Sequence, residues 1–345
     1  MFRILHQADR EGWLQLLAEM GANDVFLQPD YLKLNERILP GEVECFTFYD
    51  GKIRVIYPYI RRRIPGTGWF DITSAYGYGG YVAHPRNTDA SAFHSQFCDY
   101  CRSEGIVSEF IRFHPAFENH LGASVPSLHI RHHQPIVHVD YTESGFSFTG
   151  TLRKEVWKKI RKANQHGVTV IADTAGRYYQ DFLRLYQATM DLRNAASFYY
   201  FDHDFIREVW TGLNGRSILF AAIQQDRFLG GLLVLYGPSA GYNFLSCSDY
   251  EFNKVGTNEL LQYTALEWGQ KHGLDAFFLG GGRGGEDSLF EFKAKFSTHR
   301  RGFYLGCRIH LPEVYDQLSS LRGVDAATEA YALPFPLYRR EAQTI

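Results

Sequence analysis

Hydrophobic and polar positions switch between two periods along the chain, and the switches mark its elements. From Asp9 to about Met20, Trp13, Leu14, Leu16 and Leu17 recur at helical spacing, and Gly21 follows as a stop. The spacing predicts a short amphipathic helix. Val43 to Tyr49 and Lys52 to Arg61 read instead as two strands joined at Tyr49-Asp50-Gly51, because Asp-Gly favours the positive φ values of a tight hairpin. A β-meander is expected through Trp69 to Val82. A helix over residues 89–104, a stop at Gly105 and a strand over Ile106 to Phe113 complete the first half.

The second half repeats this order. Ile218 to Gln224 and Phe228 to Tyr236 flank Gln225-Asp226-Arg227, Tyr242 to Ser248 adds a strand, and residues 257–272 carry Leu260, Leu261, Ala265, Leu266 and Trp268 at helical spacing before Gly273 and the apolar run Ala276 to Leu279. Asp50 pairs with Asp226 and Gly105 with Gly273, each pair about 170 residues apart, as an internal duplication would place them. A chain of 345 residues is long enough for two cores. The expected division is an N-terminal lobe over 1–140, a C-terminal lobe over 141–320 and an extended tail over 321–345, whose prolines in Tyr331-Ala-Leu-Pro-Phe-Pro-Leu-Tyr338 preclude a continuous helix.

Charge and cysteines narrow the function classes. The formal net charge of -2 argues against a protein that coats nucleic acid by charge alone, although local basic patches survive that argument. The start of the chain has no long apolar segment, so a cytoplasmic protein is expected. Five cysteines, an odd number, do not make a secreted disulfide framework. Cys98 and Cys101 form one C-x-x-C on a helical stretch with no second pair, and read as buried structural thiols. Leu128 to Val139 holds His129, His132, His133 and His138, but no Asp or Glu among them, so an exposed connecting strand is expected there and no metal.

The segment Ala276 to Phe296 reads as strand, glycine loop and short helix. Gly280, Gly282 and Gly285 formally satisfy G-x-G-x-x-G, yet no βαβ unit follows to make a dinucleotide site. The glycines then serve a sharp turn close to a neighbouring strand, or a tight loop beside a substrate. Phe292 and Phe296 share a helix face, and on pattern alone Lys293 and Lys295 point to solvent. A second segment, Leu152 to Val168, packs six basic residues between Arg153 and Lys162, as either a solvated helix face or a docking surface for phosphate.

Together, the glycine loop with Asp287-Ser-Leu-Phe and Phe292-Lys-Ala-Lys-Phe296, the basic helix leading to Gly167-Val168, and the strand Tyr242 to Ser248 with its following helix resemble the Fem-type aminoacyltransferases and related GNAT-like proteins. Phe26 to Lys33 extends the resemblance weakly into the first lobe. The resemblance implies an α/β fold of two tandem GNAT-like lobes, each a mixed twisted sheet flanked by helices, around a central cleft. It implies an acyltransferase that moves an aminoacyl group from aminoacyl-tRNA to an amine on a cell-wall precursor or small natural product. In that reaction an amine attacks an ester carbonyl, and a cation stabilises the charge that develops on its oxygen. Lys293 is the implied cation. Phe292 lines the same wall with Tyr242, Lys33 and Arg193 grip an anionic acceptor, and Asp249 or Glu251 stands where a base would meet the incoming ammonium. No bound cofactor is expected.

The alternative donor is acyl-CoA, for an N-acetyltransferase acting on an amino sugar or related metabolite. GNAT enzymes hold the CoA pyrophosphate on a glycine-rich loop at a helix N-terminus. Asn253-Lys-Val-Gly-Thr-Asn258 keeps one glycine there and puts Asn258 where a second small residue belongs, which weakens that reading. A third class is a non-catalytic adaptor. An internal duplication already supplies a pseudo-symmetric pair, so a monomer is preferred.

Overall fold

The Asp50 carboxylate accepts hydrogen bonds from the backbone N–H groups of Lys52 (2.9 Å) and Ile53 (2.8 Å), and Gly51 takes φ +93°, so the first hairpin turns where its sequence predicts. The computed structural model describes residues 1–86, 88–123, 125, 127–324 and 330–340. The chain forms two units, Met1–His133 with Phe303–Ile345, and Gln134–Gly302.

The first unit contains β1 (Phe2–Leu5), α1 (Arg10–Glu19), α2 (Pro29–Asn35), β2 (Glu42–Tyr49), β3 (Arg54–Arg63), β4 (Phe70–Thr73), β5 (Val82–His84), α3 (Ser91–Ser103) and β6 (Ile106–Arg112). β1 to β4 pair antiparallel in order, β4 then runs parallel to β6, and β5 returns to β3. The expected meander over Trp69 to Val82 is therefore broken into two strands. Gly77 and Gly80, at φ +94° and +85°, divert the chain between them. α3 is the crossover that joins the parallel pair, and it turns Phe93, Phe97 and Cys101 onto one buried face against Phe46, Tyr57 and Tyr81. Each buried ring contributes about 2–3 kcal/mol of apolar burial.

The second unit follows with β7 (His129–Asp140), of which Gln134 onward belongs here, then α4 (Phe148–Thr151), α5 (Lys154–Gln165), β8 (Thr169–Asp173), α6 (Tyr179–Leu192), α7 (His203–Thr211), β9 (Ser217–Gln224), β10 (Arg227–Tyr236), β11 (Ala240–Ser248), α8 (Thr257–Lys271), β12 (Ala276–Gly280) and α9 (Ser288–Lys293). Its strands lie in the order β7-β12-β11-β10-β9-β8. Only β11 and β12 are parallel, with α8 crossing between them. The β9–β10 turn places Gln225 and Asp226 at φ +47° and +64°, the two positive values of a tight hairpin. The histidine-rich strand is not exposed throughout: Ile136, Val137, His138 and Val139 are buried, because this half of β7 pairs with β12 inside the sheet.

The chain closes with β13 (Arg300–Ile309), whose Leu305 to Ile309 pair antiparallel with β6, and α10 (Pro312–Ser320). Phe335, Leu337 and Tyr338 of the tail are buried beside Tyr315 and Val107, while residues 325–329 and 341–345 of the expected tail lie outside the described residues. Among the described residues, no helix is long and apolar enough to cross a membrane. Each unit is thus a mixed α/β sheet with one parallel pair and one crossover helix.

Candidate functional site

β12 ends at Gly280, where φ +83° starts a turn in the left-handed region that favours glycine. A Cβ on Gly281 would lie 2.7 Å from the Gln134 amide nitrogen and 2.9 Å from the Pro135 carbonyl oxygen. One on Gly282 would lie 2.1 Å from the Gly285 carbonyl oxygen. The loop therefore passes tightly over β7, and Asp287 locks it by accepting from the N–H groups of Arg283, Leu289 and Phe290, each at 3.0 Å. Burial alone would raise the Asp287 carboxyl, but these backbone donors hold it below its usual range. The capped helix α9 then carries Phe292 and Lys293 toward one cavity.

Lys293 does not point to solvent as the pattern predicts. Its Nζ donates 2.7 Å to the Gly281 carbonyl oxygen, inside the glycine turn, and burial lowers its pKa to about 8, opposed by the Asp287 carboxylate. The reason is the end of α9 at this residue, which frees the side chain to fold back over the turn. An ammonium has three N–H donors, and Gly281 is the one acceptor that Lys293 meets among the described residues, so two donors stay available to the cavity. Lys295, by contrast, pairs with Glu155 at 3.3 Å.

The cavity encloses about 280 Å³ and is lined by Lys293, Phe292, Arg193, Arg283, Asn243 and Gln262, among others. Asn243 and Gln262 bond to each other through both amides, at 2.6 and 3.3 Å, which fixes their orientation. Arg193 follows the last turn of α6 and has no carboxylate partner among the described residues. Burial and the Arg283 guanidinium both push its pKa down, as two like charges sharing a cavity must. Among the described residues, the Arg283 guanidinium meets Asp287, at 3.4 Å. The wall thus presents three cationic groups and no acidic lining residue.

Of the residues expected from sequence, this cavity brings together Lys293, Phe292 and Arg193. Tyr242 sits behind the wall, buried and stacked on Phe278 at 5.4 Å. Asp249 caps the turn after β11 by accepting from the Glu251 N–H, and its other oxygen accepts from Arg227 at 2.7 Å. Glu251 is exposed, 3.7 Å from the same guanidinium. Lys33 lies on α2 of the other unit, paired with Glu36. Sequence reasoning missed Arg283, Asn243 and Gln262. The first sits in the quoted glycine loop, where its charge among glycines was the available signal; the amide pair carried none, because its members lie on a strand and a helix.

The basic segment forms α5. Val156, Ile160 and Ala163 face the core, and Arg153, Lys154, Lys158, Arg161 and Lys162 remain exposed. Its backbone abuts the loop ahead of α8: Gly256 takes φ +100°, and a Cβ there would lie 2.3 Å from the Lys159 carbonyl oxygen. Lys159 and Lys162 also donate to the Lys254 carbonyl oxygen, at 3.3 and 3.1 Å.

Comparison with known proteins places this geometry. The family model for the Acetyltransferase (GNAT) domain matches residues 150–293, a span that ends on Lys293. No curated protein matches by sequence. Among solved structures the fold is similar to FemX, with a TM-score of 0.62 at 13% identity over 83% of this chain and 92% of that one. It is also similar to L-PGS from Bacillus licheniformis, with a TM-score of 0.55 at 16% identity over 87% of this chain and 92% of that one. These likenesses are likenesses of fold. The cavity of the second unit therefore sits within the span that the GNAT-domain model matches, and the chain shares its fold with FemX and L-PGS.

Proposed function

We propose that the protein transfers an aminoacyl group from aminoacyl-tRNA to an amine acceptor, a cell-wall precursor or small natural product, and forms an amide. The observation that carries this reading is the Lys293 ammonium, held by Gly281 with two donors turned to a cavity whose other charged groups are arginines. The acceptor amine attacks the ester carbonyl, the carbon–nitrogen bond forms, and the carbon–oxygen bond to the ribose breaks. One proton leaves the amine and ends on the ribose oxygen. Lys293 stabilises the oxyanion between these steps, as a cation already oriented by its bond to Gly281. Phe292 lines the acyl group, and Arg193 with Arg283 holds an anionic part of the acceptor. Asp249 is committed to Arg227 and to its cap, so the proton passes between the substrates themselves.

The loop before α8 supports a tRNA donor. Contact between Gly256 and the Lys159 backbone leaves little room for a pyrophosphate to lie on this loop, and the same contact sets a row of exposed cations beside it. That arrangement suits a tRNA acceptor stem. One observation favours acyl-CoA as the second reading: α8 begins without a side-chain cap, and Asn258 in its first turn lines the cavity. Incubation with labelled aminoacyl-tRNA or labelled acetyl-CoA, plus a small-molecule cell extract, separates the two. Label reaching acid-stable amides from tRNA, and lost on RNase treatment, supports the first reading. Transfer from acetyl-CoA alone overturns it in favour of the second.

A further inference from the structure

The first unit contains a second cluster of reactive side chains, unrelated to acyl transfer. Glu109 of β6, Cys101 of α3 and His310 just beyond β13 are all buried, and their ligand-bearing atoms lie within 4.8 Å of one another. The His310 Nε2 and a Glu109 carboxylate oxygen are 3.3 Å apart, while Nδ1 of the same ring is buried with no hydrogen-bond partner among the described residues. Cys98 stands one helical turn before Cys101 and so shares its face of α3. Of the two thiols, Cys101 is the one grouped with the His310 imidazole and Glu109. Around them, Arg308 donates to the Cys98 sulfur at 3.1 Å, meets Glu109 at 3.6 Å and contacts the His94 ring at 3.2 Å.

We propose that Cys98, Cys101, Glu109 and His310 form a closed site for one thiolate-preferring divalent metal, of the Zn²⁺ class, which staples α3 to β6 and the end of β13. Donor chemistry suits it: two sulfurs, one imidazole and one carboxylate are the ligand types that zinc takes in tetrahedral sites. Zinc–ligand bonds of about 2.0–2.3 Å place tetrahedral ligands about 3.3–3.8 Å apart, so the 3.3 Å pair already has the right spacing. Cys101 lies within 4.8 Å of both, and Cys98, one turn away on the same helix face, completes the set by turning its side chain inward. The charge also closes. Binding releases one proton from each thiol to solvent, and the dication then balances two thiolates, one carboxylate and the Arg308 guanidinium to a net charge of zero. Arg308 supplies the outer contacts that orient a sulfur and a carboxylate ligand. Four protein ligands leave no open position, which makes the metal structural. Cys98 is the one partly exposed member and gives the ion its way in.

The full-length protein, reduced and stripped with a chelator, is dialysed against Zn²⁺ and its metal counted, then loaded with Co²⁺ for absorption spectra. One retained equivalent and a thiolate-to-cobalt charge-transfer band are expected. Cys98→Ser removes a ligand at the partly exposed edge of the cluster, and should weaken binding by at least about 10- to 100-fold, the range seen even for outer contacts. The double variant His132→Ala/His133→Ala should leave binding unchanged. Folded wild-type protein that retains no Zn²⁺, a cobalt spectrum without the charge-transfer band, or binding that survives Cys98→Ser and Cys101→Ser undiminished overturns the proposal.

Discussion

The two units run the same topology to opposite ends. In each, a hairpin leads to a parallel pair, β4–β6 or β11–β12, joined by a crossover helix that ends in a left-handed glycine, Gly105 or Gly273. The first unit fills the face of its helix with rings, Phe93, Phe97, Tyr57 and Tyr81, and pairs its buried and half-buried cations with carboxylates: Arg62 with Asp71 at 2.8 Å, Arg61 with Glu44 at 3.4 Å, Arg308 with Glu109. In the second unit the corresponding helix faces an open cavity, where Arg193 has no carboxylate partner among the described residues and Lys293 rests on a carbonyl. A cation that is buried and paired belongs to the scaffold; one that lines a cavity with no carboxylate beside it is available to a substrate.

Substitutions on either side sharpen this contrast. Arg308→Met removes one of the two basic partners of buried Glu109, leaving His310, and should destabilise folding by about 3 kcal/mol in urea titration. The same variant should not change turnover per folded molecule. Lys293→Ala should do the reverse: turnover falls on the order of 10²-fold, the scale of a lost oxyanion donor, with no loss of stability at neutral pH, because a partly buried ammonium is removed. A Lys293→Ala enzyme with full turnover removes the cation from the mechanism. Gly256→Ala forces a left-handed residue against the Lys159 carbonyl and should cost about 1–3 kcal/mol, measured by thermal unfolding.

Smaller effects test the electrostatics. With its pKa near 8, Lys293 is charged below that value and loses its proton as pH rises through it, so kcat should fall on the alkaline side of about pH 8. That limb should vanish from the residual activity of Lys293→Met. For stability the sign is opposite: the folded protein binds fewer protons than the unfolded one between pH 8 and the ordinary lysine value of 10.5, so this group adds stability as pH rises through that window. Arg193→Ala should raise KM for an anionic acceptor about tenfold and leave kcat nearly unchanged, whereas an equal loss in kcat would place Arg193 at the transition state.

Much of the fold was legible because it is local. Helices and strands announce themselves through periods of 3.6 and 2, and their ends through Gly21, Gly51, Gly105 and Gly273, each with positive φ in the structure. The meander failed because strand partners are not local: nothing in Trp69 to Val82 says that β4 will lie parallel to β6. The site was legible only where its residues are contiguous. Phe292 and Lys293 stand on one short segment, but the solvated position read for Lys293 assumed a continuing helix, and the helix ends there.

By itself, then, the sequence determined what short-range forces decide: the repeated order of elements, the hairpins, the glycine turn and the basic face of α5. Only the tertiary structure decided which charges are satisfied. Glu109 and Arg308 are about 200 residues apart in sequence yet buried together, while Arg193, Arg283 and Lys293 converge on one cavity without an acidic partner among its lining residues. Pairing depends on distances of a few ångströms between side chains of different elements, and no pattern along the chain records those distances.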